Sequence, residues 1–296
     1  MFSNFKKLST TTQLRGKAVA IGVSAAALLM MATTAQANNL VLNGDFTATT
    51  PIAAATNASN PNGGELGYNL TATDWTTPTN GFNLLFTSGA NAVAGINNSF
   101  GAPGFKLYGA PNLLATTAVP GGGSFVGLDG AYQIEPLEQS ISGLTVGDTY
   151  SVTFDWAGAQ QSGFTGATTE QLQVYFGCSL SKGACTDPTI AKDPNPNPAG
   201  DYSFTNTADT QSTGVLTNPQ GGFTGWYSET MNFKATNSTE ILAFLAVGTP
   251  TGEPPISLLT DVSLNVATPE PATLPLFLTG LMGGLGVLRS RKWLKR

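Results

Sequence analysis

Five acidic residues in the middle of the chain, Glu135, Glu138, Asp155, Glu170 and Glu229, are of the type that could do hydrolytic chemistry. Glycoside hydrolysis needs two carboxylates roughly 5–9.5 Å apart across a cleft, one acting as acid and the other as base or nucleophile. Nothing in the spacing of these five selects a pair, and scattered acids ordinarily form a solvated surface, so the chain is expected not to be an enzyme. There is no histidine in 296 residues. That removes Ser-His-Asp and Cys-His nucleophilic mechanisms, and any zinc, copper or iron site built on imidazole.

Sugar recognition would need other residues: an aromatic platform for the apolar face of a pyranose, with amides or carboxylates for its hydroxyls. Trp75 beside Asp74, and the pair Trp226-Tyr227 after a Gly-rich turn at 221–225, fall near expected loops and are the candidates. Core packing is the commoner role for any of them. Asp193-x-Asn195-x-Asn197 imitates the start of a calcium-binding EF-hand loop, but Pro198 and Phe204 stand where that loop requires Gly and Glu.

The elements that must position such residues read as strands. The central region lacks helical periodicity and carries short alternating runs bounded by Gly, Pro, Asn and Asp, which predicts an all-β architecture. The clearest case is Tyr150, Val152, Phe154 and Trp156, which alternate with Ser151, Thr153 and Asp155, so that one face is apolar and Trp156 points to the core. Tyr150, just beyond the link 144–147, is expected to cap a corner between sheets. Strands are also expected at 39–46, 81–87, 124–130, 170–176, 226–235, 240–247 and 256–266, about ten in all counting the whole 137–156 block. The stretches 47–64 and 178–200 read as loop, the latter because prolines at alternate positions in Asp193-Pro-Asn-Pro-Asn-Pro198 cannot feed a ladder, and 88–123 is rich in Gly, Pro and Asn with few strong strand signals. Residues 38–268 are expected to form one domain.

The two ends are different in kind. Lys6, Lys7, Arg15 and Lys17 precede an apolar run at 18–32, and Ala35-Gln36-Ala37 offers a small-x-small cleavage site, so residues 1–37 read as a secretory signal peptide, removed by signal peptidase. At the other end come Pro269-Glu270-Pro271, an apolar run at 272–288, and the basic tail Arg289, Arg291, Lys292, Lys295 and Arg296. A basic tail stays on the cytoplasmic side, which places 38–268 across the inner membrane. The apolar run is at the lower limit for a span and is weakened by Pro275 and four glycines, which suits a transient stop-transfer helix; an ordinary tail anchor is the alternative. With both ends set aside, residues 38–268 hold 4 cationic residues against 17 acidic ones, a net charge of −13. Such a surface repels phosphate backbones and argues against nucleic-acid partners. In an exported chain Cys178 and Cys185 read as a local disulfide, the alternative being a free-thiol pair.

The knuckle, apolar run and basic tail of 269–296 resemble the PEP-CTERM sorting signal of Gram-negative bacteria. The resemblance implies cleavage by an exosortase at or near Pro269-Glu270-Pro271, and delivery to the cell surface or to an extracellular matrix associated with exopolysaccharide and biofilm. Separately, Asn39-Leu-Val-Leu-Asn-Gly-Asp-Phe46, the block 139–156 and Leu259-Thr-Asp-Val-Ser-Leu264 resemble exported jelly-roll domains of the galactose-binding-like type, common among carbohydrate-binding modules. That resemblance implies a jelly-roll β-sandwich, flanked by the signal helix and the C-terminal transmembrane sorting helix, with exopolysaccharide as a partner. It also implies a structural Ca²⁺ joining the first and last strands, with Asp261 at the closing position and Thr47 where an acid would stand. The alternatives are a self-associating adhesin without a sugar site and a secreted glycan-cleaving enzyme.

Overall fold

The computed structural model describes residues 38–77, 81–109, 112–177, 179–181, 184–186, 190–192, 202–204 and 209–267. The expected signal peptide with Ala35 and Ala37, the Pro269-Glu270-Pro271 motif and the tail from Arg289 to Arg296 lie outside them. So does the disulfide, because Cys178 is not among them.

Nineteen strands are described. The first part of the chain holds β1 (Thr49–Pro51), β2 (Gly63–Glu65), β3 (Leu70–Ala72), β4 (Asn83–Phe86), helix α1 (Gly89–Ala94), β5 (Ile96–Asn98) and β6 (Gly101–Phe105). The middle holds β7 (Phe125–Asp129), β8 (Leu137–Ser142), β9 (Thr149–Gln160) and β10 (Thr168–Gly177). Four short strands follow, β11 (Ser179–Ser181), β12 (Ala184–Thr186), β13 (Ile190–Lys192) and β14 (Tyr202–Phe204). The last are β15 (Thr210–Ser212), β16 (Leu216–Asn218), β17 (Tyr227–Lys234), β18 (Thr239–Thr249) and β19 (Pro255–Val266).

Two large sheets make a β-sandwich. One has the order β17-β9-β19-β7-β4-β2-β5-β6; the other has β15-β10-β18-β8, with β16 also paired to β10. Alternation sends every second side chain between the sheets. From the first sheet these are Leu85, Val126, Val152, Phe154 and Trp156; from the second, Leu137, Ile141, Leu172, Val174 and Phe244. Burying this many apolar side chains, at about 1.5–3 kcal/mol each, supplies the main driving force for the pairing of the sheets.

The opposite face of the first sheet is also buried. Leu84, Phe86, Phe125, Ala157, Ala159, Ile256 and Leu258 point away from the sandwich and pack under Leu107, Leu114 and Phe223 from the covering loops. The stretch 88–123, which shows few strand signals in its sequence, is therefore a cover that contains α1, β5 and β6. It was hard to read as structure because its strands are short and rich in Gly and Pro.

Strand β19 contributes to both faces through a bulge. Three steps along β19, from Thr260 to Ser263, match two along β9, from Asp155 to Thr153. The extra residue is Asp261, with φ of 50°, and it resets the alternation so that Leu259 and Val262 both enter the core. The segment 39–46 is not a regular strand. It lies along β19 through Leu40 N–H to Leu264 O and Val262 N–H to Gly44 O, and the Gln139 side-chain amide takes both the N–H and the C=O of Leu42 at 2.8 Å. Tyr150 caps its corner as expected, its hydroxyl accepting the Thr145 N–H at 2.9 Å. The stretch 178–200, expected to be loop throughout, contains the ladder between β11 and β12 and also β13, which pairs with β14 just beyond it.

Candidate functional site

The loops at one end of the first sheet enclose a cleft of about 630 Å³. Its position follows from the register. Asn83 pairs with Leu128, Ile256 with Asp129 and Pro255 with Gln160, so the start of β4, the end of β7, the end of β9 and the start of β19 all meet there. The turn between β5 and β6 closes the remaining side.

Aromatic rings dominate the walls. Phe82 lies 6.0 Å from Tyr132, their planes only 19° apart, and 5.2 Å from Phe100. Phe100 is 66% exposed, a large apolar ring held open to solvent at the rim. Phe164 completes the set from the loop after β9. Amides stand among the rings, from Asn98 and Gln161, and the single charged lining residue among the described residues is Asp129.

Each ring is held by a local device. Asp129 accepts backbone N–H groups of Ala131 and Tyr132 on Oδ1, at 2.9 and 3.1 Å, and of Gln133 on Oδ2. That shapes the turn carrying Tyr132. Buried Glu65 accepts the Ser99 N–H at 2.8 Å, and Asn98 Oδ1 accepts the Phe100 N–H at 3.1 Å, which together fix the turn carrying Phe100. Burial raises the pKa of Glu65 above the ordinary carboxylate value, against the lowering effect of its bond to Ser99. Gly104 has to be glycine, since a Cβ there would lie 2.0 Å from Asn98 Oδ1. The Tyr108 hydroxyl donates to Phe164 O at 2.9 Å and accepts from Gly163 N–H, which sets the loop that carries Phe164.

The residues singled out from the sequence lie elsewhere. Trp75 is 5% exposed in the sandwich core, 5.2 Å from Phe46 and 6.2 Å from Phe244, with its indole N–H on Asn43 O at 3.0 Å. Trp226 is half-buried against Phe125 and Phe223 on the other side of the first sheet. Tyr227 begins edge strand β17 and is 48% exposed. The structure does not bring the three together. None of the five acids considered for hydrolysis lines the aromatic cleft. Glu170 is fully buried at the end of the sandwich core, and Glu135 receives the Gly81 N–H.

Asp261 and Asp45 both abut the Gly121–Gly123 turn: a Cβ on Gly121 would meet the Asp261 carboxyl at 3.2 Å, and one on Gly123 would meet Asp45. Calcium takes six to eight oxygens. Among the described residues no group of three or more acidic, histidine or cysteine side chains gathers, so the two carboxylates do not by themselves make up a calcium donor set. Among the described residues, too, no helix is long and apolar enough to cross a membrane.

No family model matches the sequence, and no curated protein matches it. Among solved structures the chain is similar to a family 61 carbohydrate-binding module in complex with β-1,4-galactotriose. The identity is 10%, covering 77% of this chain and 99% of that one, with a TM-score of 0.34. A family 4 carbohydrate-binding module is 15% identical over the same shares, with a TM-score of 0.31. The K2 cleaved adhesin domain of Lys-gingipain is 16% identical, covering 66% of this chain and 90% of that one, with a TM-score of 0.31. At such scores the sandwich is read from this chain's own strand order, and the cleft from its own side chains.

Proposed function

We propose that residues 38–268 form a non-enzymatic glycan-binding module of jelly-roll type, and that its ligand site is the aromatic cleft. The observation that carries this is the ring set Phe82, Phe100, Tyr132 and Phe164 around the amides of Asn98 and Gln161, in about 630 Å³ at a loop-bearing end of the sandwich. Flat apolar faces suit the C–H face of a pyranose, and amides serve its hydroxyls. Hydrolysis would call for a second carboxylate facing the first, whereas Asp129, the one carboxylate among the described lining residues, accepts three backbone N–H groups and shapes a turn. The two ends of the sequence support export by a secretory signal and processing by an exosortase. The working product would then reside at the cell surface or in the matrix, where exopolysaccharide is the available glycan.

Affinity electrophoresis in gels containing the producing organism's own exopolysaccharide tests the site. The mature protein is retarded, and Phe100→Ala weakens the interaction roughly tenfold to thirtyfold, as loss of a central aromatic anchor does. Equal retardation of the two proteins would remove the cleft from the account.

A further inference from the structure

The cleft holds one buried polar atom that the fold leaves unused. Asn98 is 1% exposed and lines the cleft. Its Oδ1 accepts the Phe100 N–H, which identifies the other amide atom as Nδ2, and that donor has no hydrogen-bond partner within the protein. Buried donors are nearly always paired, so one left over in a cleft wall marks where an acceptor from outside completes the set.

Charge decides what kind of acceptor. Among the described residues no lysine or arginine lines the cleft. Lys106, just after β6, lies against Gly95, where its Cγ would be 2.8 Å from an added Cβ. The region 38–268 carries a net charge of −13. A carboxylate or sulfate brought into this site would be desolvated with no cation to pair it, beside Asp129 and inside a negative field. The same field does not repel an ammonium group, so the discrimination is against acidic sugars. Resting on the reading of this cleft as a glycan site, we infer that it discriminates against acidic sugars and that Asn98 is the specificity-determining donor, its Nδ2 giving a hydrogen bond to a hydroxyl or ring oxygen.

The test uses the mature wild-type protein against two sets of soluble polymers: neutral (β-galactan, mannan, dextran, hydroxyethyl cellulose) and uronate-bearing (alginate, polygalacturonate). At least one neutral polymer is expected to bind, with an affinity that changes less than about twofold between about 20 and 300 mM salt, because no ion pair contributes. Asn98→Asp keeps an acceptor for the Phe100 N–H and removes the donor; it is expected to weaken that binding about tenfold at unchanged melting temperature. Asn98→Ala serves if a buried carboxylate unfolds the turn. Uronate binding as tight as neutral binding overturns the charge selection, and wild-type affinity in either folded Asn98 variant overturns the role of the donor. If the charged polymer binds and Phe100→Ala abolishes it, the glycan reading stands and only this inference falls. If no polymer binds, both fall.

Discussion

Replacing Glu170 with glutamine should make the protein more stable at alkaline pH and leave it nearly unchanged in acid. Glu170 continues the inward face of β10 beyond Leu172 and Val174, where the apolar core gives way to Gly158. A Cβ on Gly158 would stand 2.6 Å from its Oε2, so the glycine makes the room the carboxyl occupies. Thr168 donates to Oε1, and Asn218 lies near enough to the carboxyl to act on it. Burial raises its pKa from 4.5 to about 7, against the lowering effect of Thr168 and Asn218. The folded value lies above the unfolded one, so the folded state holds the extra proton between pH 4.5 and about 7. Stability therefore falls as pH rises through that window and levels off above it. At about 1.4 kcal/mol for each pH unit of separation, the charged form costs the fold about 3 kcal/mol at pH 8. Glutamine keeps the shape, still accepts from Thr168, and cannot ionise. Urea unfolding followed by tryptophan fluorescence should show Glu170→Gln exceeding wild type by about 3 kcal/mol at pH 8 and by little at pH 4.5. Glu65 has a pKa raised in the same direction, but it titrates in both proteins, so the difference isolates Glu170. Parallel pH profiles for the two proteins would refute the reasoning.

Three further outcomes are expected. Tyr150→Phe strands the Thr145 N–H at the corner and should lower stability by about 1–3 kcal/mol, read from the urea midpoint at constant slope. Trp75→Ala empties a site between Phe46 and Phe244 and should cost about 3–5 kcal/mol, while the folded fraction keeps wild-type glycan affinity; selective loss of affinity would return Trp75 to the ligand site. Mass spectrometry of the native protein should find a chain that starts at Asn38 and ends near Pro269-Glu270-Pro271. A full-length mass would remove both the export and the sorting steps.

The long strands were legible in the sequence because their alternation is regular. The alternating residues from Tyr150 to Trp156 predicted one apolar face, and all four lie in the core. What escaped was short or depended on distant partners. Strands β2, β5 and β6 are only three to five residues long, rich in Gly and Asn, and pair only because β4 offers its edge. The bulge at Asp261 could not be read locally, since it exists only relative to β9. The candidate site was missed for a related reason. Tryptophans near loops drew attention, yet Trp75 packs inward, and the cleft is built from phenylalanines of ordinary appearance. Phe82 and Phe100 are 18 positions apart, and Tyr132 and Phe164 join them only when the ends of β4, β5, β7 and β9 converge. A sequence signal did exist in Asn98-Ser-Phe-Gly101, a tight turn that presents a large apolar ring.

The cleft assignment is tested most directly by mapping glycan-induced chemical shift changes on the mature protein. The account predicts changes concentrated at 98–105, 129–132, 161–164 and 251–254, with the strongest ring shifts on Phe100 and Tyr132 and none at Trp75. Changes centred instead on Asp74, Trp75 and Glu138, or spread along the β17 edge around Tyr227, would contradict it.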